Sequence, residues 1–193
     1  GGVPQKLWED THEFHYNDLE GLEDLLKAHG GDTAAIIITP VGHPLAEKVE
    51  MPKPGFLEGV RALADKYGIV LVFDEIRSGF RYDLGGAQKL FGVTPDLSVF
   101  GKAMANGYPI GAVVGKEEHM KVLADKVFLS STFFPNSLEQ VAALKTIEIL
   151  ERDNILEKIK QKGEVFGARL DKIVKNVPYD VEVSGIPLMP FIT

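Results

Sequence analysis

The segment IVLVFDE, residues 69–75, decides how this 193-residue sequence folds. Five apolar residues are followed by two acids, Asp74 and Glu75. A short all-apolar run that is buried on both faces is typical of a strand in a parallel sheet covered by helices. Ligands of such sheets bind beyond the carboxyl ends of the strands. The two acids therefore stand where the pattern predicts a functional site.

The same alternation of short apolar strands and amphipathic helices extends in both directions from this segment. We predict strands at residues 34–38, 69–73, 97–100, 110–114 and 127–129, and strand and turn at 179–193. We predict helices that begin at Asn17 as N-cap and stop at Gly30, that run from Pro54 to Gly68, and that cover residues 136–153 and 155–176. This order predicts an open α/β sheet, mostly parallel and flanked by helices.

Composition excludes several classes of function. The chain has a formal net charge of −7 with scattered cations, which argues against a nucleic-acid or anionic-membrane partner. It has no cysteine, which excludes thiolate chemistry and cysteine-based metal sites. No apolar run approaches the roughly 20 residues of a membrane span.

Two positions at strand ends are candidates for chemistry, and each has two interpretations. Asp74 and Glu75 either cap the next turn or helix, or hold a carboxylate for a metal or a cationic ligand group. Lys102 follows the strand at 97–100. It is either a solvated lysine, which at a helix start opposes the dipole by about 0.3–1 kcal/mol, or a lysine that binds phosphate or forms a Schiff base.

Familiar motifs do not explain Lys102. A P-loop ending at Gly101-Lys102 needs glycine at position 96 and serine or threonine at 103, where the chain has Asp96 and Ala103. No strand is followed by a dinucleotide-binding glycine motif, and no nucleophile elbow is present. Two histidines, His12 and His15, flank an acid, but nothing else there supports a metal site.

Asp74 and Lys102 together suggest one ligand. If their strands are neighbours, both side chains face one crevice at the carboxyl edge of the sheet. A carboxylate that keeps a pyridine nitrogen protonated and a lysine that forms an imine with an aldehyde are the pair used by pyridoxal-phosphate enzymes.

At these residues the chain resembles the class III (ω-type) aminotransferases, of the fold-type I pyridoxal-phosphate superfamily. The resemblance rests on GIVLVFDEIRSGFR, on GVTPDLSVFGKAMANGYPIGAVVG and on SSTFFPNSLEQVAALKTIEIL. GGAQKLFGVTPDL is most similar to glutamate-1-semialdehyde aminomutase and its relatives. The resemblance implies the large domain of that fold and transfer of an amino group between an amine or amino acid and a carbonyl compound.

The resemblance also implies roles for individual residues. Asp74 would pair with the pyridine nitrogen of pyridoxal 5'-phosphate, and Ile76 would pack against the ring. Lys102 would hold the cofactor as a Schiff base and then move protons as base and acid. Thr132, with Ser131, would bind the phosphate of the neighbouring subunit's cofactor, which implies a homodimer with shared active sites. We expect the protein to be cytoplasmic.

The chain departs from the family pattern in several ways. Thr39-Pro40 stands where the family usually has Glu-Pro, and FFPNSLEQ replaces the common Ser-Gly-Asn-Pro pattern. The family's glycine-rich phosphate loop and ring-stacking aromatic residue have no counterpart. The Gly1-Gly2 start and the apolar end at residues 184–193 favour a central portion of a longer protein.

These departures leave alternatives open. We expect residues 1–150 to be part of the cofactor-binding large domain, and residues 151–193 to be a connecting helix and the beginning of the small C-terminal domain. The chain could instead be a fragment or degenerate paralogue that folds or dimerises without catalysis, or one half of a split enzyme.

Overall fold

The computed structural model describes residues 2–41, 48–130 and 136–193. The strands of this described part are β1 Ala35–Ile38, β2 Val70–Asp74, β3 Leu97–Phe100, β4 Ala112–Gly115, β5 Val183–Ile186 and β6 Met189–Ile192. Its α-helices are α1 Leu19–His29, α2 Phe56–Tyr67, α3 Gly86–Phe91, α4 Glu117–Met120, α5 Val122–Asp125, α6 Ser137–Arg152 and α7 Ile155–Val174. Short 3-10 helices cover Gln5–Leu7 and Lys102–Ala105.

The main sheet has the strand order β1-β2-β3-β4. β1 and β2 pair in parallel, as do β2 and β3, whereas β4 runs antiparallel to β3. A parallel β4 would need a crossover of about a dozen residues or more, and the short segment between β3 and β4 is occupied by the second 3-10 helix. The predicted mostly parallel α/β fold is confirmed. A separate antiparallel hairpin pairs β5 with β6.

One face of the sheet carries the main core. Leu22 and Leu26 of α1 pack with Val60 of α2 against Leu71 and Phe73 of β2. The expectation that both strand faces are buried is wrong in this chain. β1 alternates between exposed and buried residues, and β2 alternates between half-buried and buried ones. Ile37 is 64% exposed on the second face, because α1 and α2 cover only the first.

Two local predictions fail for identifiable reasons. The N-cap of α1 is Asp18, whose carboxylate accepts the Gly21 N–H at 2.9 Å. Asn17 has a positive φ of 66° and instead uses its side chain on the loop at 50–53. Residues 127–129 form no strand, and Phe128 is 91% exposed, so the apolar run finds no sheet partner among the described residues.

The C-terminal helices agree with prediction. The side chain of Asn136 caps α6 by accepting the Leu138 N–H, and α6 packs through Ala143 on Met104 of the second 3-10 helix. The predicted boundary at residue 150 lies in the last turn of α6. No described helix combines the length and apolar character that a membrane crossing requires.

Candidate active site

A cleft of about 110 Å³ opens at the carboxyl ends of the three parallel strands. Thr39 follows β1, Asp74 ends β2, and Lys102 stands two residues after β3. Ile76 and Arg77 complete the lining. The structure therefore brings Asp74, Ile76 and Lys102 together as the sequence predicted, at the edge where parallel sheets bind ligands.

Asp74 presents a carboxylate that is only partly used. Side chains alternate along a strand, so Asp74 lies on the open face of the sheet, opposite to the buried Phe73. Its Oδ1 accepts the Ile76 N–H at 3.0 Å and fixes the turn. Its Oδ2 accepts no hydrogen bond from the described residues. Asp74 thus lines the cleft with one free carboxylate oxygen, which can take a cationic N–H.

Glu75 has a different role from its neighbour. Its fully buried carboxylate accepts the Ser78 hydroxyl and the backbone N–H groups of Ala87 and Gln88 at the start of α3. Burial raises the pKa of Glu75, and these hydrogen bonds partly oppose the rise. The capping interpretation is therefore correct for Glu75, while Asp74 remains available for chemistry.

Lys102 occupies an unusual backbone conformation. Its φ is +43°, which is uncommon for a residue with a Cβ. Such strain persists only where the surrounding structure determines it, and it often occurs at functional sites. Gly101 precedes it, and a Cβ there would lie 3.3 Å from the Ile110 carbonyl oxygen and 3.6 Å from Ile76. Because Gly101 has no side chain, the backbone at the end of β3 can pass close to Ile76 and Ile110. Lys102, whose side chain is exposed, is the next residue.

The other predicted positions contribute less. Ser131 and Thr132 lie outside the described residues, so their predicted phosphate-binding role stays a prediction. Residues that could hold a metal do not cluster anywhere in the described ranges. His12 stacks on His29, with ring centroids 4.1 Å apart.

Sequence reasoning missed two residues of the cleft. Arg77 was treated as part of a motif only, and Thr39 only as a departure from the family pattern. Both signals were available, because Thr39 directly follows a predicted strand and Arg77 lies three residues beyond Asp74. A turn at the end of a strand folds such a residue back over the same edge.

The residues present fit the pyridine end of pyridoxal 5'-phosphate. A carboxylate with a free oxygen, an aliphatic side chain and an exposed amine line one cleft, at Asp74, Ile76 and Lys102. These are the groups needed for a protonated ring nitrogen, a ring face and an aldehyde. A full phosphate site is not visible in the described part of the chain.

Comparisons with known proteins point to one family. The class-III aminotransferase family profile matches residues 3–189. The chain is 65% identical over its full length to a 3-aminobutyryl-CoA aminotransferase of Cloacimonas acidaminovorans, of which it covers 47%. It is 40% identical over its full length to a glutamate-1-semialdehyde 2,1-aminomutase of Brevibacillus brevis, of which it covers 45%. The chain thus spans about half the length of these curated relatives.

Solved structures show the same fold. The chain superposes with a TM-score of 0.92 and 31% identity on the pyridoxal-phosphate internal aldimine form of the Sphingopyxis FumI protein, covering all of this chain and 46% of that one. An omega-transaminase from Sphaerobacter thermophilus gives a TM-score of 0.86 with 32% identity, covering 97% of this chain and 43% of that one. The fold-type I expectation is confirmed.

Proposed function

The chain belongs to the class-III aminotransferase family, and we propose that the complete protein transfers an amino group between an amine and a carbonyl compound with pyridoxal 5'-phosphate. The observation that carries the proposal is the meeting of Asp74 and Lys102 in one cleft at adjacent strand ends. The family match over residues 3–189 favours this interpretation over a non-catalytic fragment.

The bound cofactor would supply an electron sink for the carbon that carries the amino group. Asp74 would hold a proton on the ring nitrogen through its free oxygen, an ion pair that the half-buried position strengthens. Ile76 would bind one ring face. Lys102 would bind the cofactor through its amine and, once released, accept and return the proton at the reacting carbon.

For the substrate we propose a 3-amino acyl-CoA thioester as amino donor. The support is the 65% identity to a 3-aminobutyryl-CoA aminotransferase over the whole chain. The aminomutase relatives are more distant at 35–40% identity. Amino transfer would convert the carbon bearing the amine into a carbonyl, and a separate carbonyl compound would accept the amino group.

We extend the proposal to the assembly, as a homodimer whose active sites are shared. Leu138, Val141 and Leu144 form an exposed apolar stripe on α6, and Leu144 is 70% exposed. Phe128, just before Ser131 and Thr132, is also exposed. Exposed apolar residues this close in sequence to the predicted phosphate residues fit a subunit contact.

Covalent labelling tests the cofactor site. Borohydride reduction of the complete protein with pyridoxal 5'-phosphate should fix the cofactor on the peptide that contains Lys102. Lys102→Arg should lose the label and Lys116→Arg should keep it. A label on another lysine, or none in the wild type, would contradict the assignment.

Two further measurements test the substrate and the dimer. The complete protein should deaminate 3-aminobutyryl-CoA faster than free 3-aminobutyrate, and equal rates would contradict the thioester proposal.

The double variant Val141→Glu/Leu144→Glu should sediment as a monomer. Val165→Glu on α7 is the control, because Val165 is also exposed but lies outside the α6 stripe.

A further inference from the structure

Two residues close to the end of the sheet that carries the cleft adopt a backbone conformation that their side chains disfavour. Among the described residues, five residues other than glycine have a positive φ, and three of them are asparagines, which tolerate this region. The other two are Phe80, with a φ of 59°, and Lys102, with a φ of 43°. Such a conformation persists in a bulky residue only where the surrounding structure determines it.

The position of the Lys102 amine depends on the backbone of residues 100–104. The side chain is exposed and forms no ion pair with an acid of the described residues. The Met104 N–H donates to the Gly101 carbonyl at 3.0 Å and closes a turn around Lys102. Phe100, two residues before Lys102, and Met104, two residues after it, are both buried. Packing on these two side chains therefore places the lysine.

Phe80 contributes to this packing. It lies against the cluster of buried residues that contains Phe100 and Met104. Its ring contacts Phe100, with ring centroids 5.4 Å apart and ring planes tilted by 57°. The preceding residue, Gly79, comes so close that a Cβ there would clash with the Phe100 ring. The turn after β2 thus packs on the end of β3, directly before the lysine.

The turn that carries Phe80 is itself anchored by hydrogen bonds. The Ser78 hydroxyl donates to the fully buried Glu75 carboxylate at 3.0 Å. The Gly79 N–H donates to the Glu75 carbonyl at 2.8 Å. Ser78 and Gly79 are both buried. Phe80 follows them directly, so its ring is held by a hydrogen-bonded turn.

We propose that Phe80 is a positioning residue for Lys102, because its ring packs on the cluster that contains both residues flanking the lysine turn. Phe80 does not belong to the described lining of the cleft, so it acts through Lys102 and not on the cofactor. A misplacement of about 1 Å at a reacting group can lower a rate by about 10²-fold. This inference rests on the proposed function, since it requires Lys102 to be the amine that binds the cofactor.

The test measures bond formation between Lys102 and the cofactor. The complete protein without cofactor is mixed with pyridoxal 5'-phosphate, and absorbance follows the imine that forms when the amine condenses with the aldehyde and releases water. Phe80→Ala should slow this step by about 10- to 100-fold, and Phe80→Leu should be intermediate because it keeps part of the packing. Phe91→Ala is the matched control and should keep the wild-type rate, because Phe91 is also half-buried but packs on the main core.

Amide hydrogen exchange gives a second measurement, which needs no cofactor. The Met104 N–H should exchange faster in Phe80→Ala than in the wild type and should be unchanged in Phe91→Ala. Where Phe80→Ala does not fold, Phe80→Leu and Phe91→Leu make the same comparison.

The possible failures can be told apart. Equal rates of imine formation in the Phe80 and Phe91 variants, or equal exchange of the Met104 N–H in them, would overturn the positioning role. A wild type that forms no imine at Lys102 would instead contradict the proposed function.

Discussion

Two aspartates at opposite ends of the sheet show how the same side chain serves structure in one place and chemistry in another. Asp96, just before β3, binds Arg61 at 2.8 Å, Lys116 at 2.6 Å and the Leu71 N–H at 2.7 Å. Asp74, at the end of β2, accepts one backbone N–H. A carboxylate whose two oxygens are hydrogen-bonded within the protein stabilises the fold. A carboxylate with a free oxygen can bind a ligand.

The pKa of Asp96 reflects this saturation. Burial alone would raise it, but the hydrogen bonds to Lys116, to the Leu71 N–H and to Arg61 outweigh burial and lower it to about 2. The network joins α2, β2, β3 and the end of β4 at the edge of the sheet opposite to the cleft. Substitutions at the two ends should therefore separate stability from activity.

The largest expected difference comes from replacing one lysine of each region with alanine. Lys102→Ala should lower amino transfer by at least about 10²- to 10⁴-fold, because the acid–base group is lost, and should leave the melting temperature unchanged. Lys116→Ala should keep amino transfer and cost at most about 1 kcal/mol, since Lys116 is half-exposed. Steady-state rates and thermal unfolding of the complete protein measure both.

The two aspartates give the next largest effect when each is changed to asparagine. Asp96→Asn should lower the free energy of unfolding by about 1–3 kcal/mol, because it removes the charge that binds Lys116 and the half-buried Arg61, which keeps only its pair with Asp65. Asp74→Asn retains the oxygen that accepts the Ile76 N–H and should unfold like the wild type but lose amino transfer. Similar urea midpoints for the two variants would contradict the contrast.

Acid should weaken the Asp96 end selectively. The folded pKa of about 2 lies below the ordinary 3.8, so this stabilisation is complete above pH 4 and is lost as pH falls towards 2. The shift corresponds to about 2 kcal/mol. Urea unfolding between pH 5 and pH 2.5 should show a smaller loss for Asp96→Asn than for the wild type, and parallel curves would contradict the assignment.

The last expected effect concerns Gly86, which lies against the buried carboxylate of Glu75. Gly86 has a φ of +71°, and a Cβ there would contact the Glu75 carboxylate. Gly86→Ala should therefore cost about 1–3 kcal/mol of unfolding free energy. Gly85→Ala is the matched control, because Gly85 has a φ of −82° and its Cβ would meet the flexible side chain of Lys89. Equal melting temperatures would contradict the prediction.

Strongly local signals predicted most of this fold. β2 was predictable because an apolar run ends at two acids, and β3 because a mostly apolar run ends at a glycine. α2 was predictable because Gly68 follows its apolar stripe, and Gly68 ends the helix in a left-handed conformation. The N-cap of α1 was misassigned because Asn17 serves a loop more than 30 residues away. Contacts so distant in sequence leave no local pattern.

The candidate site was predictable to a different extent. Asp74 and Lys102 were found because strand ends of a parallel sheet meet at one edge. Arg77 was not predicted to line the cleft. Its place there depends on how the turn after β2 folds, which is a property of three-dimensional contacts. The hydrogen-bond network of Asp96 could not be inferred for the same reason, although Asp96 stands in a family motif and in the rejected P-loop pattern.

The open face and edge of β1 have a consequence for handling this polypeptide by itself. Its sequence, Ala-Ile-Ile-Ile, is uncharged and contains three β-branched residues, and β1 forms one edge of the described four-stranded sheet with Ile37 exposed. Unprotected edges of this kind template intermolecular strand addition. Aggregation during expression of the 193-residue chain would thus start at residues 35–38, and lysine in place of Ile37 should suppress it.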